Sequence, residues 1–412
     1  MKKLIFIAAI AAIGLVSCAK IENTQNATVG SGDALSFGVY AGRAVNTKAT
    51  YGDITTANLA SSEDGFGVFA FYTQTSDWAA TDTPNFMYNQ QVRNISSYGG
   101  SNPSDYSAAK YPSGWYYTPL KYWPNGRNAT AYEAAATSAD MISFFAYAPY
   151  IATDTDGAVT TNVPAANEGI TAISGNTAAG VPEISFTVPS KAEEQIDLLW
   201  ANPVMNGTKQ ALSERVSFTF KHALAKLNIQ VRTVADDLTG TTNNLAAETK
   251  VILEGLTLTA SGTKSGKLSI GSGNAVPNWS DLSGNTSVEY GASSFSATET
   301  VNSKTGFNVT ETATDLNSTK SPMIIPAAVA AGNFVITANY WVITADAALN
   351  GGFSTIQNNI TKTSTDAVTF EAGKKYNIIV NLGINSVDFA VTEVTDWEPQ
   401  AAVDYHLPQN AS

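Results

Sequence analysis

The sequence predicts an all-β protein, and three observations carry that prediction. Short segments with an apolar side chain at every second position recur along the chain, separated by turns rich in Gly, Asn, Asp and Pro. Helical patterns are confined to residues 132–136 and 222–226. Hydrophobic residues make up 44% of the chain and charged residues only 14%. Because a sheet with one apolar face must bury it against another layer, the strands are expected to form β-sandwiches.

The first predicted strand follows a polar segment and has one apolar face. Leu35, Phe37 and Val39 alternate with Ser36, Gly38 and Tyr40, which is the period of a half-buried strand. The later predicted strands cover residues 66–72, 141–147, 184–188, 216–220, 227–231, 250–260, 334–344, 376–382 and 387–394. Residues 94–113 and 152–179 are predicted to be long surface loops. A turn at residues 203–213 marks the expected boundary between two halves.

The beginning of the chain has the pattern of a bacterial lipoprotein signal. Lys2 and Lys3 precede an apolar stretch over residues 4–16, and Ser17 then precedes Cys18. An apolar stretch this short favours a cleaved signal over a spanning helix. Residues 1–17 are therefore predicted to be a signal peptide, with Cys18 acylated. Residues 18–33 lack periodicity and are predicted to tether the fold to the membrane.

Composition excludes several classes of protein. Cys18 is the only cysteine, so no internal disulfide is expected. The formal charge of -12 and the pI near 4.6 argue against nucleic-acid binding, which needs clustered Lys and Arg. With only His222 and His406 and no Gly-x-Ser-x-Gly turn, the usual zinc and serine-hydrolase sites are not expected. The chain is predicted to be no enzyme and to hold no metal or cofactor.

One dense aromatic segment has two interpretations. Trp115, Tyr117 and Trp123 lie within nine residues, together with two further tyrosines. Such rings could stack on sugars at the surface, or they could fill the core of a sandwich. The first interpretation predicts a glycan contact at these three residues, and the second predicts packing.

Several segments together resemble the fimbrillins of Bacteroidales, which include pilins, adhesins and related lipoproteins. They are Tyr122-Trp123-Pro124, then residues 144–149 (FFAYAP), residues 197–201 (DLLWA), residues 220–227 (FKHALAKL), Tyr376 and Trp397. The resemblance implies two tandem transthyretin-like β-sandwich domains, here expected at residues 44–208 and 209–412. It also implies export as a lipoprotein, followed by cleavage after an arginine just beyond the first strand. The strand is then lost, and a strand from a neighbouring subunit takes its place.

Two segments match these implied roles. Arg43, followed by Ala44, lies in a polar run after the first strand, so residues 34–43 form the expected removable segment. Its displaced apolar residues would be Leu35, Phe37 and Val39. At the other end, residues 401–407 alternate and supply the expected donor strand, with Pro408 ending any ladder. Its apolar residues are Ala401, Val403, Tyr405 and Leu407. The alternatives are a subunit that is never cut, and a tail that pairs within its own domain or frays.

The predicted function is that of a structural and adhesive fimbrial subunit on the outer surface of a Gram-negative cell. Expected partners are other fimbrial subunits, of the same or a different kind, and a host or bacterial surface receptor. The outer membrane is a partner through the lipid before maturation. The alternative function is a permanently anchored surface lipoprotein that binds glycans through Trp115, Tyr117 and Trp123.

Overall fold

The structure is a computed structural model, and it describes residues 35–40, 54–124, 140–160, 168–191, 194–208, 215–234, 249–271, 277–291, 294–316 and 321–397. These residues contain 23 strands, one α-helix and one short 3₁₀-helix, which confirms the all-β class. The α-helix, α1, spans Thr56–Ser61, and the hydroxyl of Thr55 caps it by accepting from the Asn58 amide. The 3₁₀-helix spans Ile95–Tyr98. No helix among the described residues is long and apolar enough to cross a membrane.

Ten strands form before residue 223. They are β1 (Ser36–Tyr40), β2 (Phe66–Gln74), β3 (Met87–Asn94), β4 (Trp115–Tyr116), β5 (Met141–Ala148), β6 (Gly169–Ile173), β7 (Glu183–Thr187), β8 (Leu199–Ala201), β9 (Val204–Thr208) and β10 (Arg215–His222). Eight of them build one sheet in the order β1-β10-β8-β5-β2-β3-β4, with β9 also paired to β5. One face of this sheet covers a core rich in aromatic residues, which we call the first core.

Thirteen further strands follow. They are β11 (Ala225–Thr233), β12 (Thr249–Ser269), β13 (Asn278–Tyr290), β14 (Glu299–Val301), β15 (Lys304–Val309), β16 (Thr314–Asp315), β17 (Met323–Ile324), β18 (Ala327–Val329), β19 (Phe334–Ala345), β20 (Phe353–Thr363), β21 (Val368–Phe370), β22 (Lys374–Leu382) and β23 (Val387–Asp396). One sheet runs β16-β11-β22-β23, and a larger one runs β14-β15-β12-β19-β20. Their facing apolar residues, such as Ile229, Leu258, Ile336 and Ile378, form the second core.

Strand pairing crosses the expected boundary at residue 208 in both directions. β10 follows that boundary but belongs to the first sheet, through β1 and β8. β6 and β7 precede it, yet β7 pairs with β12 over Glu183–Thr187 and joins the larger sheet of the second half. A third apolar cluster, which includes Trp200, Phe145 and Leu268, lies where these elements meet. β7 and β10 therefore each pair with strands on the other side of the expected boundary.

Each of the ten strands predicted between residues 35 and 394 coincides with an observed one, from the first at β1 to the last at β23. The predicted helix at residues 222–226 is wrong. His222 ends β10 and Ala225 begins β11, and buried Ala223 and Leu224 make the connection between the two sheets. The apolar residues between Lys221 and Lys226 have a spacing that also suits a helix. The segment is too short for this spacing to distinguish a helix from a tight connection. The predicted helix at residues 132–136 lies outside the described residues.

Candidate functional site: the slot filled by the first strand

The candidate site is the position that β1 occupies in the first sheet, which we call the β1 slot. β1 runs parallel to β10, with Phe37 opposite Val216 and Val39 opposite Phe218. Among the described strands β10 is its only partner, so β1 lies at the edge of the sheet. A strand at an edge is held by one ladder of backbone hydrogen bonds and can be exchanged without breaking a second.

The inward face of β1 fills a large part of the first core. Leu35 and Phe37 are both completely buried, and Val39 is partly buried against the same cluster. The ring of Phe37 stacks on that of Phe218, with centroids 5.9 Å apart. It also meets the ring of Tyr117 edge-on at 5.2 Å, with Phe66 and Phe144 slightly farther away. Removing β1 would therefore open an apolar pocket lined by aromatic rings.

A loop holds the start of the strand through hydrogen bonds. The Leu35 amide donates to the carbonyl oxygen of Lys121 at 3.0 Å. The hydroxyl of Tyr117 lies 2.8 Å from the carbonyl oxygen of Leu35 and donates to it. The same hydroxyl oxygen accepts from the Lys121 amide at 3.3 Å. Burial raises the pKa of Tyr117 above its ordinary value, so its hydroxyl remains a donor at neutral pH.

On the outward face of the slot, Gly38 of β1 lies against the side chain of Arg215. The guanidinium of Arg215 lies over Gly38, and a Cβ added there would come within 2.7 Å of Nη2. Glycine is what allows this close approach. None of the ion pairs between described residues involves Arg215. The slot thus presents an exposed cation at its outward face.

The three aromatic residues predicted to contact a glycan do not lie at the surface. Trp115, Tyr117 and Trp123 are only 5%, 1% and 3% exposed, and all three pack in the first core. A sugar cannot stack on a ring that has no open face. The prediction of glycan contact is therefore corrected, and packing explains the dense aromatic segment. Tyr117 has the separate role of holding β1.

His222 has a structural position at the end of β10. Its Nδ1 lies 2.7 Å from Oδ2 of Asp197, which is fully buried and also accepts from the Ile54 amide at 3.1 Å. The imidazole stacks on the indole of Trp397 with centroids 4.1 Å apart. These contacts connect β10 with the segment that precedes α1 and with the end of β23.

Some predicted residues lie outside the described part of the chain. These are the acylation residue Cys18, the cleavage residues Arg43 and Ala44, and the donor residues Ala401, Val403, Tyr405 and Leu407. The sequence alone did not indicate that Arg215 and Lys121 contact the first strand. Arg215 begins a strand whose neighbour is far away in sequence, so nothing local indicated that its side chain would cover Gly38.

The model of the fimbrillin-like family matches residues 47–397. The chain is a member of that family, whose proteins are fimbrial subunits and thus components of cell-surface appendages.

Two relatives illustrate the likeness. The chain is 27% identical over 383 residues to the fimbrium subunit Fim1C of Phocaeicola vulgatus, covering 87% of this chain and 88% of the relative. Its fold is similar to the crystal structure of a fimbrial protein from Bacteroides vulgatus, with a TM-score of 0.57 and 23% identity. That match covers 88% of this chain and 99% of the other.

Proposed function

We propose that this protein is a fimbrial subunit that reaches the cell surface as a lipoprotein and polymerises by protease-triggered strand exchange. In this proposal Cys18 carries the lipid, and a protease cuts between Arg43 and Ala44. β1 then leaves with the lipidated segment, and a strand from a neighbouring subunit enters the β1 slot. The observation that carries the proposal is that β1 has a single partner among the described strands, yet Phe37 within it and Leu35 directly before it are completely buried.

The position of Arg43 fits release of the strand. It lies three residues beyond Tyr40, the last residue of β1. A cut there would leave β1 attached only by non-covalent contacts. These are the ladder to β10, the hydrogen bonds of Leu35 and the packing of its apolar face. Each is of a kind that another strand of similar pattern can make.

The vacated slot would favour refilling. Burial of Leu35 and Phe37 contributes about 1.5–3 kcal/mol for each side chain, and emptying the slot exposes the apolar residues that they cover. It also leaves one edge of β10 without a partner, which is the condition that promotes β-augmentation. A neighbour that supplies matching apolar residues would restore both contributions. The lipid would then serve delivery to the outer membrane and be lost from the mature subunit.

Limited digestion with trypsin tests this function. The lipid-free chain is digested, sequenced from its new N-terminus and sized, alongside a Lys48→Gln variant and a variant that carries both Arg43→Gln and Lys48→Gln, because trypsin also cuts after Lys48. We expect a terminus at Ala44 and a ladder of oligomers for Lys48→Gln, and a ladder for the unmodified chain. The variant that lacks both sites should remain monomeric. A cut chain that stays monomeric at high concentration would overturn the proposal.

A further inference from the structure

We propose that β20 is a contact surface for a second copy of this chain. In this contact the β20 strands of two subunits pair antiparallel, and a two-fold axis passes at Asn358. The contact would join subunits side by side, whereas the proposed strand exchange joins them end to end. It does not depend on that exchange, because β20 lies in the second half and a cut after Arg43 leaves it intact.

β20 forms an open edge of the larger sheet. Among the described strands it pairs only with β19, over eleven residue pairs and without a register shift. Its other side meets no described strand, so the backbone groups there can pair with a strand from another molecule. Natural edge strands usually avoid this by being short, by a bulge, or by charged residues and proline. β20 has eleven residues, no proline and a single charged residue, Lys362.

Other strands at the ends of the described sheets show such protection. β4, β14 and β16 contain only two or three residues each. β23 has ten residues, but its ladder with β22 includes a register shift, and the exposed Asp388 lies in it. β20 is longer than any of them and has neither a bulge nor an acidic residue. Of these edges it is the one best suited to pair with another strand along its whole length.

Exposed apolar side chains are concentrated at this edge. Of the seven large apolar side chains that are at least 39% exposed in the described chain, four lie in β20 or next to it. They are Leu349 in the turn before β20, Phe353 and Ile356 within it, and Ile384, whose carbonyl oxygen accepts from Asn358 Nδ2 at 2.7 Å. Such clustering on one surface is typical of a site that contacts another protein.

The charge of the edge favours a second copy as the partner. The chain has a formal charge of -12, so two copies repel each other over most of their surface. The segment between Asp346 and Lys362 has no charged residue, and it includes most of β20. An uncharged edge offers little attraction to a basic or an acidic partner. It matches a partner edge that is uncharged as well, and β20 of a second copy is such an edge.

The sequence of β20 is nearly the same when it is read in either direction from Asn358. Ile356 and Ile360 lie two positions to either side of it, and Thr355 and Thr361 lie three positions away. An antiparallel pair centred on Asn358 therefore places Ile356 opposite Ile360 of the second copy, and Thr355 opposite Thr361. Apolar pairs and threonine pairs that face each other across two strands stabilise a sheet. The two-fold axis makes each of these contacts occur twice.

This register is preferred over its neighbours. Ile360 packs against the second core, and Ile356 lies on the same face of β20, so the isoleucine pairs would extend that core across the contact. A shift by two residues in either direction would instead place Ile356 opposite Asn358 or Lys362 of the second copy. In the centred register Lys362 lies opposite Ser354, so like charges do not meet, and all eleven residues are paired.

A single contact of this kind is small and is expected to be weak. Isolated subunits should therefore be mainly monomeric and pair only transiently. Once subunits are linked in a polymer, many such contacts can act together between two polymers, and their combined strength is much larger. The contact would thus associate neighbouring fimbriae laterally. This consequence, unlike the contact itself, rests on the proposed function.

Disulfide trapping tests the contact in uncut chains. Full chains carrying Cys18→Ser are prepared with either Gln357→Cys or Asn359→Cys, two exposed positions that lie opposite each other in the proposed pair. Directly opposite residues have Cα atoms about 4.5–5.5 Å apart, which suits a disulfide. Within one variant the two cysteines would be diagonal neighbours, about 7–8 Å apart, which is too far. We expect reducible dimers when the two variants are mixed and oxidised, and few from either variant alone.

Three results would overturn the proposal or part of it. No more dimer from the mixture than from a chain with Leu282→Cys, an exposed position on β13, would exclude pairing through β20. Dimers mainly from Gln357→Cys alone or from Asn359→Cys alone would overturn the register. Dimers that form only after deletion of residues 398–412 would assign the edge to the tail of the same chain and overturn the second copy. Because these chains are uncut, a failure here leaves strand exchange standing, and the absence of a ladder after trypsin would leave this contact standing.

Ile356→Lys tests the apolar pair with a matched control. Ile356 is 51% exposed, so the change should not affect folding, but it places a charge opposite Ile360 of the second copy. The yield of the mixed disulfide should fall severalfold when both chains carry it. Leu282→Lys, at an exposed apolar residue outside the contact, should leave the yield unchanged. Equal yields in the two variants would contradict the apolar pairing.

Discussion

Parallel strand pairing occurs in both halves of the described chain, and the two instances differ in how the strand is held. In the second half β22 pairs with β11 over eight residue pairs, and β23 covers its other edge. In the first half β1 pairs with β10 over five residue pairs, with no described strand on its other side. Both strands contain completely buried apolar residues, Phe37 in β1 and Ile378, Val380 and Leu382 in β22. Under the proposed function, burial alone does not make a strand permanent, and the strands beside it decide whether it can be removed.

The largest expected contrast comes from Phe37→Ala. In the uncut chain this change should lower the free energy of unfolding by about 3–5 kcal/mol, because it leaves a cavity among the rings that surround Phe37. In a cut chain freed of the β1 peptide it should have no effect, since the residue has departed. Urea unfolding of both forms measures the difference, with residues 401–412 deleted so that the cut form stays monomeric. An equal loss in both forms would mean that β1 remains in place after cleavage.

Ile378→Ala is the matched change in β22. Ile378 is fully buried in the second core and its strand is held on both sides. The expected cost is about 2–5 kcal/mol, and it should be the same before and after cleavage. The measurement is the same pair of urea curves. If the loss of unfolding free energy caused by Ile378→Ala became smaller after cleavage, the two halves would be coupled through β1. The contrast between β1 and β22 would then not hold.

The comparison also shows what sequence alone could establish. The alternation of Leu35, Phe37 and Val39 predicted a strand with a buried face, and the structure has that strand with Leu35 and Phe37 fully buried. Alternation is a local property, so every predicted strand could be found in this way. The partner of each strand is not local. Nothing within residues 215–222 indicates that β10 returns to the first sheet, across the boundary expected at residue 208.

The role of the aromatic segment could not be assigned from the sequence, for a different reason. Trp115, Tyr117 and Trp123 have the composition of a binding platform and equally of a core, and only their burial separates the two. The contact of Arg215 with Gly38 was also beyond the sequence, because it depends on the register between strands 177 positions apart in the chain. Composition and period predict elements; registers and burial decide what those elements do.

Alkaline pH should weaken the first half of the described chain. Burial raises the pKa of Tyr111 and of Tyr116 to about 12, from an ordinary value of 10. Their stabilising contribution is complete below pH 10 and is lost as the pH rises from 10 towards 12, because the unfolded chain gives up these protons first. Thermal unfolding across this range, with tyrosinate absorbance, measures the loss. The variant carrying both Tyr111→Phe and Tyr116→Phe should show a flatter dependence, and an unchanged slope would contradict this cause.

The smallest expected effect tests the hydrogen bonds at the start of β1. Tyr117→Phe removes the donor to the Leu35 carbonyl and should cost the uncut chain about 0.5–1.5 kcal/mol. The matched change is Tyr340→Phe in the second half, where a buried hydroxyl donates to the Gly383 carbonyl at 2.9 Å. Both variants should cost a similar amount before cleavage. After the β1 peptide is removed, the cost of Tyr117→Phe should shrink because its acceptor has left, whereas that of Tyr340→Phe should not change. If both costs persist equally, the Tyr117 hydroxyl acts through Lys121 and not through β1, and it would then hold the loop whether the slot is full or empty.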